Sequence, residues 1–244
     1  QLENLIKYKK IGIIFMEVSR NLNPNKNFFK KIQNLAKKNK IILIFDECTS
    51  GFRETDCGLH KKYNVNPDIL ILGKALGNGY AINAILGTED IMKQANQTFI
   101  SSTFWSEQVG LTAAFKTIEV MQNQKSWIYI SKLGQYLTKN WKKIAKGNNL
   151  DTSIKGLHSI PNFNLNLKKN FNFRLYITET MIKKKILATN TLYLSTYHNK
   201  KVFGKYFDLL NDIFYKIHLY DHDRINIYNE NKYKYLDKQI KRFN

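Results

Sequence analysis

Ile41-Ile42-Leu43-Ile44-Phe45-Asp46-Glu47 and Ile69-Leu70-Ile71-Leu72-Gly73-Lys74, the second leading into Gly77-Asn78-Gly79, are the two apolar runs around which the chain is organised. Both apolar runs are short, continuous and aliphatic, and both stop abruptly at a charge. Runs of this kind predict parallel strands buried on both faces of an α/β sheet. A charged residue directly after such a strand sits at its carboxyl end, where open α/β sheets place their ligands. Asp46 and Lys74 are therefore expected to face one crevice, one acidic and one basic, each held by a rigid strand.

Working outward, Ile11 to Val18 predicts a buried strand ending near Glu17. Phe28, Phe29, Ile32, Leu35 and Ala36 recur at helical spacing within 25–38, with Asn25 or Asn27 as cap. Strand, helix and strand over 11–45 predict a right-handed crossover. Gly51 to Pro67 is a polar loop, and Pro67 restricts the residue before it as the next strand begins. Gly77-Asn78-Gly79 is expected to supply positive φ angles for a tight reversal. Ala81 to Gly87 reads as another strand, and Thr88-Glu89-Asp90 as the start of a short helix. Hydroxyls at Ser101, Ser102 and Thr103 precede a helix carrying Val109, Leu111, Ala113, Ala114 and Ile118. Such hydroxyls suit a bound phosphate, but on sequence grounds alone they are more often plain N-caps.

From Ser126 to Lys146 a long amphipathic helix is expected, ending at Lys146-Gly147-Asn148-Asn149. Beyond it, Ile154 to Leu167 alternates like strand. A helix over 177–184, a strand over 191–195 and a helix over 201–217 follow. The boundaries are 1–125 for a first domain, 126–150 for a connecting helix, 151–220 for a small domain and 221–244 for a polar tail of no evident function.

A chain of 244 residues, 43% hydrophobic and 13% aromatic, is globular in class and not disordered. No apolar run approaches the ~20 residues of a membrane span, and there is no signal-peptide layout. Two cysteines, Cys48 and Cys57, are too few for a disulfide framework and fit a cytoplasmic protein. His218 and His222 have the spacing of a helical metal pair but no evident third ligand, so no metal is expected. The formal net charge of +20 would suit nucleic acid or an anionic membrane. Yet thirty-four lysines stand against five arginines, spread along a chain rich in Asn and Ile. Phosphate readers favour the arginine fork, so neither nucleic acid nor membrane is expected as a partner.

An acidic and a basic residue at neighbouring strand ends suit pyridoxal phosphate. That cofactor needs a partly desolvated lysine amine for its aldehyde and a carboxylate that keeps its ring nitrogen protonated. On pattern alone the plainer reading stands ahead, with Lys74 one solvated lysine among many and Asp46 a strand-end cap.

The wording of the stretch reverses that order. Phe45-Asp46-Glu47-Cys48-Thr49-Ser50-Gly51-Phe52-Arg53, Pro67-Asp68-Ile69 and Gly73-Lys74-Ala75-Leu76-Gly77-Asn78-Gly79 together resemble class III aminotransferases, fold-type I pyridoxal phosphate enzymes that include glutamate-1-semialdehyde aminomutase. The resemblance runs from about Ile11 to Ile217. It implies part of a large α/β domain with a mixed sheet, Ala81 to Gly87 antiparallel within it, followed by a small α+β domain. By the same resemblance Lys74 is the catalytic lysine that holds the cofactor. Asp46 pairs with its ring nitrogen, and Cys48 packs on the ring face where the family has valine. Thr103 contacts the phosphate of the neighbouring subunit in a homodimer with shared active sites. Many members have glutamine at Thr49, whereas aminomutase-like members do not. Trp105-Ser106-Glu107 replaces a stretch that in the family often carries glycines and Asn-Pro.

The activity expected is amino-group transfer or migration on a small amino or oxo substrate, closest to glutamate-1-semialdehyde 2,1-aminomutase. The alternatives are a general ω- or sugar-pathway aminotransferase, or an inactive fragment acting as a subunit partner. The chain opens on Gln1 with residues that look internal, and in the family the phosphate loop and a ring-stacking aromatic lie upstream. Residues 1–244 alone are accordingly expected to bind the cofactor weakly, to lack activity and to aggregate.

Overall fold

Both apolar runs are strands that lie side by side: β2 (Ile42–Asp46) and β3 (Ile69–Leu72) pair in parallel, with Asp46 opposite Ile71. β1 (Ile13–Glu17) pairs in parallel with the other side of β2, setting Glu17 opposite Asp46, and β4 (Ala84–Gly87) pairs antiparallel with β3. The result is a mixed four-stranded sheet in the order β1-β2-β3-β4. The computed structural model describes residues 1–19, 24, 25, 27–104 and 106–227. Trp105, and the tail beyond residue 227, lie outside them. The chain divides into two units, Gln1–Ser131 and Lys132–Asn244.

In the first unit, α1 (Leu2–Tyr8) precedes β1, α2 (Phe28–Lys38) joins β1 to β2, and α3 (Glu89–Ala95) and α4 (Gln108–Gln124) follow β4. The 3.6-residue period of α2 turns Phe29, Ile32 and Ala36 inward, where the Phe29 ring meets Phe45 at 5.6 Å and Tyr63 at 4.7 Å. Burying side chains of this size contributes on the order of 2 kcal/mol each. The α1 helix has no buried residue and was not expected from its sequence.

The expectation of strands buried on both faces is not met. Leu43, Phe45, Leu70 and Leu72 are buried, while their alternates Ile42, Ile44, Ile69 and Ile71 are half-buried. Residues opposite one another share a face, so these isoleucines continue laterally into Ile13 and Phe15 of β1 and Ile85 of β4. Those three are 55%, 58% and 62% exposed, which leaves this face of the sheet open among the described residues.

The second unit begins within α5 (Ser126–Gly147) and contains the antiparallel pair β5 (Thr152–Leu157) and β6 (Ile160–Leu165), then α6 (Phe173–Lys183) and α7 (Lys200–Asp221). Its core is Leu137, Trp141, Phe163, Ile177, Met181, Leu210, Phe214 and Ile217, all buried. The Trp141 indole donates to the Tyr206 hydroxyl at 2.9 Å, and burial pushes that phenol well above its ordinary pKa. The strand expected over 191–195 reduces to a single bridge, Thr191 to Asn162. Leu192 and Leu194 do donate to the Pro161 and Ser159 carbonyls. Pro161 has no N–H to return, so the ladder stops there.

Candidate active site

Asp46 closes β2 half-buried, and its Oδ1 accepts the Cys48 amide at 2.9 Å, a side-chain turn that folds the chain over the strand end. Glu47 points the other way and is fully buried. Its carboxylate accepts from Ser50 Oγ at 3.1 Å, the His60 amide at 2.9 Å, the His60 ring Nδ1 at 2.7 Å and the Leu59 amide. This pins the loop after β2 to the first 3-10 turn, Leu59–Tyr63. Two glycines make the fit possible. A Cβ on Gly51 would lie 2.8 Å from both the Glu47 carbonyl and Leu72, and one on Gly58 would overlap the His60 ring.

On the neighbouring strand, Gly73 is extended and buried, and a Cβ there would overlap Asn83 Oδ1 and stand 3.3 Å from Cys48 Sγ. Lys74 follows in the left-handed region at φ 46°, unusual for a side chain of its size. It opens the 3-10 turn Lys74–Leu76, and its Nζ donates to Thr49 Oγ1 at 2.6 Å. The Thr49 carbonyl accepts from Arg53 Nε at 3.0 Å. Positive φ recurs at Asn78 and Gly79, but Gly77 sits at φ −86°. Gly77 is needed instead for close approach, because a Cβ there would overlap the Tyr80 carbonyl.

Four side chains from two adjacent strand ends are thus gathered: Asp46, Cys48, Thr49 and Lys74. Burial first, then the adjacent Asp46 carboxylate, pushes the Cys48 thiol above its ordinary pKa, with Lys74 opposing, so the thiol is protonated at neutral pH. Lys74 itself is exposed, where a partly desolvated amine was expected. Thr103 is exposed in the turn ahead of α4, and no hydrogen bond among the described residues joins it to Asp46 or Lys74. The hydroxyls at 101–103 do not cap α4. That cap is Glu107, whose carboxylate accepts the Val109 and Gly110 amides.

Glu47 and His60 had no part in the sequence-based site, and Thr49 entered it only as a departure from the family's glutamine. A signal for Glu47 was present, since it shares odd-numbered parity with the buried Leu43 and Phe45 and so continues their face of the strand. Among the described residues, no group of three or more His, Cys, Asp or Glu is placed to hold a metal ion. No helix among them is long and apolar enough to cross a membrane.

The family model for aminotransferase class-III matches residues 21–201, and the chain belongs to that family. It is 33% identical over 139 residues to a 3-aminobutyryl-CoA aminotransferase of Cloacimonas acidaminovorans, covering 57% of this chain and 34% of that protein. It is 34% identical over 131 residues to a glutamate-1-semialdehyde 2,1-aminomutase of Nitrosopumilus maritimus, covering 51% and 31%. In three dimensions it matches the FumI protein of Sphingopyxis sp. MTA144, solved in its PLP internal aldimine form, with a TM-score of 0.84 at 18% identity over 92% of this chain and 56% of that one. The fold is therefore that of the fold-type I transaminases. The chain spans about half the length of that solved protein and a smaller share of these two relatives.

Proposed function

We propose that the strand ends of the first unit form the covalent-anchor side of a pyridoxal phosphate site, serving amino-group transfer or migration on a small amino or oxo substrate. The observation that carries this is the placement of Asp46 and Lys74 at the carboxyl ends of two adjacent parallel strands in a class III aminotransferase chain. Gly73 fits the same role, because its bare Cα lets Cys48 and Asn83 close in directly before the lysine.

When bound, the cofactor supplies an aldehyde for a lysine amine and a protonated ring nitrogen that withdraws electrons from the substrate carbon. Lys74 is the residue proposed to hold it and to carry a proton to and from that carbon through Nζ. Asp46 is proposed to keep the ring nitrogen protonated. Cys48, uncharged, is proposed to pack on the ring face, and Thr103 to anchor the phosphate of a neighbouring subunit in a homodimer. The division into a large-domain part over 1–125, a connecting helix over 126–150 and a small domain over 151–220 belongs to the same proposal, as does a cytoplasmic location, which the free thiols Cys48 and Cys57 support.

Within the family the chemistry closest to glutamate-1-semialdehyde 2,1-aminomutase is preferred. Its support is Thr49, which stands where many aminotransferases of the family have glutamine. General aminotransferase activity is the second reading, because an aminotransferase relative matches at nearly the same identity as an aminomutase one.

The test is borohydride reduction of the cofactor-loaded full-length protein followed by peptide mapping. A pyridoxyl group is expected on Lys74 and lost in Lys74→Ala. A label on any other lysine would overturn the assignment.

A further inference from the structure

We infer that Thr49 is a positioning residue for Lys74: its hydroxyl holds the lysine nitrogen at the strand ends in both protonation states. The inference rests on the proposal that Lys74 is the cofactor lysine, and gives Thr49 a physical role that proposal does not assign to it.

Lys74 Nζ donates to Thr49 Oγ1 at 2.6 Å, a contact between residues far apart in sequence, in the turns that follow two adjacent strands. Lys74 is exposed and sits in the left-handed region at the start of a 3-10 turn. An unrestrained lysine has four rotatable bonds and loses substantial entropy when its amine is fixed. The Thr49 hydroxyl is the group that fixes it here.

Thr49 is itself fixed. Its carbonyl is held by Arg53 Nε at 3.0 Å, and the residue before it is held by the bond from the Cys48 amide to Asp46. Behind these lies the buried Glu47 carboxylate, bonded to Ser50 and His60. The hydroxyl therefore projects from a backbone that is tied down on both sides and from below.

A hydroxyl suits this position because it has one donor and two acceptor sites. It accepts from the lysine ammonium, and after that nitrogen gives up a proton it donates to the free lone pair. The nitrogen then stays in place while a proton arrives or leaves. An aliphatic side chain of the same shape offers neither bond.

The experiment adds pyridoxal phosphate to the cofactor-free full-length protein and to its Thr49→Val and Thr49→Ser variants. The rate of attachment is followed by absorbance, its position by borohydride reduction and mapping, and fold integrity by Tm. Valine keeps the shape of threonine and loses the bond. It is expected to slow attachment about tenfold and to lower kcat with little change in KM, at a Tm near that of the parent. Serine is expected to restore most of the attachment rate. Attachment by the valine variant at the parental rate with unchanged kcat would overturn the inference, as would equal losses in both variants. If valine unfolds the loop, serine decides: a near-parental rate supports the role, and a large loss overturns it. Attachment to a lysine other than Lys74 in the parent protein overturns the proposed function, and this inference with it.

Discussion

Asp46 ends β2 with one carboxylate oxygen bonded to the Cys48 amide, whereas Glu47, one residue on, uses both of its oxygens on amides and side chains inside the protein. Replacing either carboxylate by its amide therefore has a different physical meaning. In Asp46→Asn the acceptor for Cys48 survives, so Tm should stay near the parental value while activity with cofactor collapses, since the proposed role of Asp46 beside the ring nitrogen needs its charge. In Glu47→Gln an amide N–H₂ faces donors in a fully buried site. Leaving donors unpaired there costs about 2 kcal/mol, which for a domain of this size is a fall of roughly 4–8 °C in Tm. Thermal unfolding and kcat measured on the same preparations separate the two. Equal losses of activity at equal Tm would mean that the residue beside the ring nitrogen has been misassigned.

Helices α5 and α7 each contain an interior glycine, and propensity alone predicts that alanine at either position adds up to ~1 kcal/mol of stability. Packing reverses the sign at one of them. A Cβ on Gly134 of α5 would overlap the backbone carbonyl of His158, at the turn between β5 and β6, and backbone cannot swing aside as a flexible side chain can. A Cβ on Gly204 of α7 would meet nothing within 4 Å. Gly134→Ala is expected to lower Tm by several degrees and Gly204→Ala to raise it by about 2 °C, read from paired melts. A rise in both would show that the β5–β6 turn yields to α5, against the close packing of the second unit.

At the scale of the whole molecule, the open sheet face is the dominant feature of the first unit. Ile13, Phe15, Ile42, Ile44, Ile69, Ile71 and Ile85 form one continuous apolar surface in register, with Glu17 and Asp46 at its carboxyl end. A contiguous patch of this kind drives association in water. Residues 1–244 purified by themselves should self-associate, and Phe15→Lys with Ile85→Lys should reduce this without lowering Tm, because both side chains are already exposed. Light scattering across a concentration series checks it. A monodisperse parental monomer would show that the face is tolerated by water.

What residues 1–244 determine by themselves is local and periodic. The apolar runs ending at Asp46 and Lys74, the helical spacing in α2 and the words around Asp-Glu-Cys-Thr and Gly-Lys-Ala-Leu-Gly are carried by consecutive residues, so fold class and family were legible without coordinates. Three features were decided only in three dimensions. Glu47 became a buried pin because His60 and Leu59 return to it from a loop whose path no local pattern encodes. Thr49 became the partner of Lys74 because β2 and β3 pair in a register that brings their ends together. The strand expected over 191–195 dissolved because its neighbour at Pro161 has no donor. Hydrogen bonds between distant residues, and the question of which sheet face is covered, depend on the whole set of packed neighbours. A one-dimensional pattern specifies the propensity to form an element, but not what will lie against it.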